Sequence, residues 1–416
     1  MRVLHLVHQY PPEYVGGVEY YTQSLAQALT QRGWESAVFF RTYRQGRRLT
    51  IERDENVTLY AAGAGELTPT RRFLATWRQP TLHAHWRQTL AHFQPDLVHV
   101  QHLMGLPASL LHELLAQRIP YLITLHDYWW QCANANLLTN YAQTACDGPR
   151  AYLNCTHCAI ARTGSPLSWG AAPALWPLMA DRNRRLHPLL AHAAALLTPS
   201  EFVRRWYAKH GTPTHALRAA PLGVTPPTAA APHAPKGSDS LRLLYLGGLA
   251  ANKGVHIVLE ALRGVTGAVH FAIAGDVSTQ PAYVAHLRQL ADPRVTWLGR
   301  LSRQQVWEAL AAADLVVVPS LWHETYCFAA HEALAAGVPV LASAMGALCD
   351  VIADGVNGQL LPPGDAAAWQ RALQAYVAAP ERLTDLRRGI APVWRFDDHI
   401  AFIESTYRAL LMQASS

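Results

Sequence analysis

Short runs of consecutive apolar residues alternate along this chain with stretches whose apolar positions recur every three or four residues. Val3-Leu4-His5-Leu6-Val7 predicts a strand, followed by a loop holding Pro11, Pro12, Gly16 and Gly17. An amphipathic stretch over 20–31 then closes at Gly33, where a left-handed residue commonly ends a helix. Ala37-Val38-Phe39-Phe40 predicts a second strand. Helical stretches at 85–93, 107–117, 174–193 and from Glu201 then alternate with strands at 97–101, 121–125 and 195–199. A second series starts at Leu241, with strands at 241–246, 269–274, 295–298, 315–319 and 339–342. Such alternation predicts βαβ units, and hence an α/β fold of parallel sheets whose ligands bind outside the carboxyl ends of the strands.

Two stretches break the alternation. Residues 223–240, rich in Pro, Ala, Thr and Ser and without a period, predict a linker between a domain over 1–222 and one over 241–393. A last helix over 394–411 follows the second domain. Over about 127–173 there is no helical period, while Cys132, Cys146, Cys155 and Cys158 fall inside the stretch. An irregular run of that length is usually functional or tied down by a cross-link. Its aromatic start, Tyr128-Trp129-Trp130, suits stacking on a sugar, contact with lipid or core packing.

Composition narrows the class. Half of the 416 residues are hydrophobic and 15% are charged, which excludes a disordered chain, a coiled coil and a fibrous repeat. The formal net charge of +6 is too dilute for a dedicated nucleic-acid binder. It is unevenly spread: residues 1–222 hold 21 Lys and Arg against 13 Asp and Glu, whereas 223–416 hold 14 against 16. The first domain therefore suits an anionic acceptor or membrane surface. The first residues lack a signal-type apolar core, and the uncharged stretches 163–180 and 333–349 are interrupted by Pro and Gly. The expectation is a cytoplasmic protein, with peripheral contact at the inner face of the membrane left open.

Chemistry concentrates in 319–337, where Glu324 and Glu332 stand eight residues apart around a predicted helix closed by Gly337. Helix amides near Tyr326, Cys327 and Phe328 would meet an anion. A carboxylate at each end, roughly 12 Å apart at about 1.5 Å per residue, would accept from hydroxyls on either side of it. Two hydroxyl-rich groups flanking a diphosphate describe a nucleotide sugar. The spacing alone leaves open that Glu324 only caps the helix and that Glu332 lies on a solvated face.

Glu-x7-Glu, with the strand before it and Ala-Gly-Val-Pro-Val after it, resembles the signature of the retaining family-4 glycosyltransferases of GT-B fold. The loop at Gly16-Gly17, His126-Asp127, Pro221-Leu-Gly-Val224, Gly247-Gly-Leu-Ala-Ala-Asn-Lys-Gly254, Ala274-Gly275-Asp276 and Asp354-Gly-Val-Asn-Gly358 also match. The resemblance implies two Rossmann-like domains facing each other across a cleft, with the last helix returning to the first domain. It implies a hexosyl-type transferase that moves sugar from a nucleotide-diphosphate sugar to a glycan, lipid-linked or small-molecule acceptor. Attack from the front face and no catalytic metal come with it, as in polysaccharide biosynthesis.

Under the same resemblance Lys253 contacts the diphosphate, Glu332 the ribose and Glu324 the transferred sugar. Gly16 and Gly17 admit phosphate, Gly247 lies in the donor loop, and His126 sits against the donor sugar. Gly17 as a plain turn glycine, Lys253 as an exposed lysine and His126 as a core histidine are the alternatives. Two positions depart from the family: Gly248 stands where an arginine is usual, and Cys327 where a glycine is usual. The first removes a bidentate phosphate clamp, which leaves a catalytically silent partner of another transferase as the rival function.

For the four cysteines, in the spacing C-x13-C-x8-C-x2-C, a structural zinc is expected. An iron–sulfur cluster, disulfides or unlinked thiols are the alternatives. Cys327 and Cys349 are expected to be small core residues.

Overall fold

A computed structural model describes residues 1–14, 16–43, 46–65, 67–164, 166–227 and 240–415; most of the expected linker, 228–239, lies outside the described residues. Contacts group the chain into two units. One holds Met1–Tyr141, Asp147–Leu222 and Asp397–Ser416; the other holds Ala142–Cys146 and Gly223–Phe396.

The first unit is built on an eight-stranded sheet of β1 (Arg2–Leu6), β2 (Glu35–Thr42), β3 (Leu49–Asp54), β4 (Val57–Gly63), β5 (Leu97–Val100), β6 (Tyr121–Thr124), β7 (Ala195–Thr198) and β8 (Leu217–Ala219), in the order β3-β4-β2-β1-β5-β6-β7-β8. Pairing is parallel except between β3 and β4. The helix Gly17–Gln31 buries Tyr21, Thr22, Leu25, Ala26 and Leu29, the stripe that its three- and four-residue spacing predicts. The order reverses between β1 and β5, so the loops after Leu6, Val100 and Thr124 meet at a switch point.

The second unit has six parallel strands: β9 (Leu241–Leu246), β10 (Val269–Ala274), β11 (Val295–Gly299), β12 (Leu315–Val318), β13 (Val340–Ser343) and β14 (Gly358–Leu361), in the order β11-β10-β9-β12-β13-β14. β12, Leu-Val-Val-Val, is buried throughout, as a strand covered on both faces requires. Its switch point lies between β9 and β12, beside the loops that carry Gly247 and Glu324.

The last helix, Phe396–Ser415, packs on the first sheet's layer through Ile400, Ile403, Tyr407 and Leu410. Glu404 accepts from Trp34 Nε1 at 2.9 Å, and Tyr407 meets His99 at 2.6 Å.

Three readings need correction. β3, β4, β8 and β14 escape the apolar-run pattern, because β3 is an edge strand with a largely exposed side, β4 is broken by Thr58 and ends in Ala61-Ala62-Gly63, β8 is only three residues long and β14 begins Gly358-Gln359. The stretch 127–173 is not irregular throughout, since Leu153–Thr163 is helical; its Asn, Cys, Thr and His residues are weak helix formers that hide the period. Cys349 is exposed rather than a core residue.

Candidate active site

In the second unit Glu324 follows β12 and is buried. Three donors converge on its Oε1: Lys253 Nζ at 2.7 Å, Ser320 Oγ at 2.6 Å and Trp322 Nε1 at 2.9 Å. Oε2 receives none of these three. Lys253 also sits over the Trp322 ring at 4.8 Å, so its ammonium is held from two sides.

Backbone geometry explains why this arrangement forms. Gly254 has φ 72°, and a Cβ there would run into the Pro319 carbonyl, so only glycine lets the Lys253 turn lie against the end of β12. Leu321 N–H donates to Asn252 O at 2.8 Å across the same seam. Gly346, φ 61°, similarly packs on the Glu324 backbone, while Ala347 N–H donates to Glu324 O at 2.8 Å.

Glu332 lies in the helix Phe328–Ala335 and is buried; Arg303 Nη1 donates to its Oε1 at 2.7 Å. Burial raises the Glu332 pKa, and Arg303 works against that rise. Cys327 is the N-cap at φ 68°, the left-handed conformation that a glycine would adopt freely. Burial pushes its thiol up to about 12, which leaves it an inert neutral group. Ala330 and His331 N–H already donate to Cys327 O at 3.1 and 3.3 Å, so the amides at the helix start that lie ahead of any intrahelical acceptor are those of Phe328 and Ala329. Tyr326 is buried and stacks on His331 at 3.8 Å, so its ring is a packing element. Gly247 follows β9, and Tyr245 Oη donates to Gly248 O at 2.7 Å beside it. A Cβ at Gly248 would meet nothing within 4 Å.

In the first unit the loop residue Gly16 caps the helix Gly17–Gln31, and a Cβ on it would meet Glu19 Oε2 at 2.5 Å. The glycine therefore makes room for a carboxylate of its own chain. Glu19 is buried, which raises its pKa, and its Oε1 lies 3.4 Å from His8 Nε2. His8 in turn lies 4.4 Å from the His102 ring, and His102 Nε2 meets Asp127 Oδ2 at 2.9 Å. Met104 N–H donates to His102 Nδ1 at 3.1 Å, which makes Nδ1 an acceptor and Nε2 the donor to Asp127.

His126 is buried at the end of β6, and burial holds its pKa at about 3. The ring is neutral, and its Nε2 pairs with Gln101 Oε1 at 2.8 Å. With a carbonyl oxygen as that partner, Nε2 bears the proton and Nδ1 is the acceptor.

The structure thus brings Lys253 to Glu324, sets Glu332 one helix away, and places Gly16, Gly17 and His126 in the first unit. Arg303, Gln101, His102 and Glu19 were missed in the sequence. Glu19 had a signal, three residues past Gly16, whereas Arg303 precedes Glu332 by 29 residues with nothing local to mark it.

The expected zinc site is not assembled. Among the described residues no group of three or more His, Cys, Asp or Glu side chains is placed to hold a metal ion. A four-thiolate site needs every sulfur about 2.3 Å from one point. Cys155 and Cys158 instead ride on the helix Leu153–Thr163, Cys132 closes a turn onto Tyr128 O, and Cys146 groups with the other unit. Tyr128, Trp129 and Trp130 are buried in the packing, and Arg182 lies 4.6 Å over Trp129.

Residues 15–226 match the family profile described as Glycosyltransferase Family 4, and residues 240–378 match that described as Glycosyl transferases group 1. A D-inositol 3-phosphate glycosyltransferase of Xylanimonas cellulosilytica is 34% identical over 156 residues, covering 36% of this chain and 37% of the relative. A lipopolysaccharide 1,2-N-acetylglucosaminetransferase of Salmonella typhimurium is 28% identical over 187 residues, covering 40% of this chain and 48% of the relative. The chain thus spans less than half the length of either relative. Among solved structures, sucrose-phosphate synthase from Thermosynechococcus elongatus aligns over 99% of both chains at TM-score 0.73 and 19% identity. Anabaena HepE in complex with UDP aligns over 98% of this chain and all of its own at TM-score 0.68 and 17% identity. Two parallel-sheet α/β units with such neighbours are a GT-B fold.

Proposed function

The chain belongs to glycosyltransferase family 4, and from that premise we propose that it moves a sugar from a nucleoside-diphosphate sugar to a hydroxyl of an anionic glycan, lipid-linked or small-molecule acceptor, with retention of configuration. The observation that carries the reading is Glu324: a buried carboxylate with three donors on one oxygen and the other left for a substrate hydroxyl.

In this reading Oε2 of Glu324 accepts from the transferred sugar, and Glu332 accepts from the ribose. Lys253 releases part of its hold on Glu324 to meet the diphosphate, where charge develops as the glycosidic bond breaks. The Phe328 and Ala329 amides take the same charge. Neutral His126 offers Nδ1 to a donor-sugar hydroxyl. The acceptor attacks from the face the phosphate leaves, its proton passes to the departing phosphate oxygen, and the side chains supply orientation and charge. No step draws on a metal. The excess of cations over 1–222 suits acceptors that carry phosphate or carboxylate.

A panel of nucleotide sugars starting with UDP-glucose, offered with phosphorylated polyol and lipid-linked acceptors, tests the reading. Acceptor-dependent release of nucleoside diphosphate, with a product that keeps the donor's anomeric configuration by NMR, is expected. Inverted product removes the mechanism. Nucleotide binding without turnover on any acceptor, together with tight binding to a second transferase, favours a silent partner.

A further inference from the structure

Trp169, Trp176 and Leu153 stand out among the exposed large apolar side chains, at 54%, 46% and 68% exposure, and Tyr141 joins them at 41%. They adjoin one another. Tyr141 stacks on His157 at 3.8 Å, Trp169 lies 5.1 Å from the same imidazole, and Leu153 is one helical turn before it. Trp176 Nε1 donates to Ala151 O at 2.7 Å, which sets that indole beside the start of the same helix. All belong to the first unit.

The surrounding sequence is equally unusual. No charged residue occurs from Thr163 to Ala180, while Arg162 precedes the stretch and Arg184 and Arg185 follow it. These three arginines and Arg150 are exposed. From 141 to 185 the chain has five arginines and two aspartates. Arg184 and Arg185 pair with Asp181 and Arg150 with Asp147. An uncharged aromatic surface in a segment flanked by arginines that outnumber the aspartates is the composition of one that lies in a bilayer interface. No helix of the described residues is long and apolar enough to cross a membrane, and Pro173 and Pro177 interrupt this stretch.

We propose that this surface, formed by Tyr141, Leu153, Trp169 and Trp176, seats the protein on an anionic lipid bilayer. The aromatic rings enter the headgroup region and the arginines meet lipid phosphates. The Trp176 indole enters without stranding its N–H, because Ala151 O already accepts it. A second copy of the chain is the poorer occupant, since a self-complementary contact sets this cationic rim against itself. The proposal extends the lipid-linked acceptor of the reading above, yet its readout is binding and requires no turnover.

Co-sedimentation of the full chain with vesicles of phosphatidylglycerol and phosphatidylcholine is the test. Binding that weakens with salt is expected, and W169S/W176S should lower partitioning by roughly tenfold or more with its melting temperature kept. Turnover on a soluble acceptor stays unchanged in that variant, so loss of the transferase reading is seen separately. As a measurement free of any variant, tryptophan fluorescence of the wild-type chain should be quenched by brominated lipid tails. Absence of vesicle binding, binding that W169S/W176S retains, absence of quenching, or self-association that the variant abolishes without vesicle binding each overturns the proposal.

Discussion

Glu324→Gln separates a working carboxylate from a merely structural one. Glutamine keeps an oxygen for Ser320, Trp322 and Lys253, at 2.6, 2.9 and 2.7 Å in the present structure. The Ser320 and Trp322 bonds lose their charged acceptor and become neutral, while Lys253 keeps its charged donor but loses its ionic partner. A charged hydrogen bond contributes about 1.5–3 kcal/mol and a neutral one about 0.5–1.5, so the Ser320 and Trp322 bonds together lose about 2 kcal/mol, and the Lys253 ion pair adds up to about 1 kcal/mol more. The Lys253 side chain is more than a quarter exposed, and solvent screening reduces that figure further. A melting-temperature drop of up to about ten degrees follows. At Oε2 the change is larger, because an amide NH2 replaces the oxygen that would accept from a sugar hydroxyl. Losing that bond in the transition state costs about 1.5–3 kcal/mol, or roughly 10- to 150-fold in kcat/KM. The assay is acceptor-dependent release of nucleoside diphosphate alongside thermal unfolding. A kcat/KM within threefold of wild type refutes the assignment. So does a collapse in melting temperature that accounts for the lost activity.

Three further outcomes follow from the same structure. Gly248→Arg restores the family's usual cation at a position where a side chain meets nothing within 4 Å, and should tighten nucleoside-diphosphate binding by up to about tenfold; calorimetry showing unchanged or weaker binding would contradict it. Cys327→Val should lower the melting temperature clearly more than Cys327→Gly, because a β-branched residue at φ 68° is strained and glycine is not; equal effects would remove the strain argument. Acid should destabilise the protein early. His5 and His126 are held at about 3 and His399 at about 4 by burial, against 6.5 for an unfolded histidine. Between those values the unfolded chain binds more protons, so stability is full above pH 6.5 and falls as pH drops towards 4. The cost is about 1 kcal/mol per histidine for each pH unit, measured by denaturant titration at pH 7.5 and 5.5. Stability equal at both pH values would sink the argument.

The parallel strands were legible because they are covered on both faces: Leu315-Val316-Val317-Val318 has no polar residue to mislead. Lys253, Glu324 and Glu332 were singled out by the family resemblance of Glu-x7-Glu and of the loop 247–254, and the fold brings Lys253 to Glu324. Arg303 was not, since it reaches Glu332 from another helix and no spacing rule connects them. The buried pairs His8 with Glu19, His102 with Asp127, and His126 with Gln101 were likewise hidden. They assemble only when the loops after β1, β5 and β6 meet at the switch point. The aromatic triplet at 128–130 stayed undecided in the sequence, because a Trp-Trp pair has the same composition in a core as on a surface; its burial under Arg182 decides for the core packing that was one of the alternatives.

Local pattern therefore settled the architecture: alternating apolar runs and amphipathic stretches, two series of them, and the Glu-x7-Glu helix at the end of a strand. These depend on residues within a few positions of each other, and burial on both sides of a parallel sheet writes them plainly into composition. What a carboxylate or imidazole can do was decided only by the tertiary structure. That depends on which oxygen already holds donors, which ring nitrogen keeps its proton and how much water is excluded, all set by side chains tens or hundreds of residues away. The four cysteines show the same divide. Their spacing allowed a metal site, and the helix carrying Cys155 and Cys158 does not build one among the described residues. The uncharged stretch 163–180 beside them showed in sequence only that it is interrupted by Pro and Gly, and the fold leaves Trp169 and Trp176 on the outside.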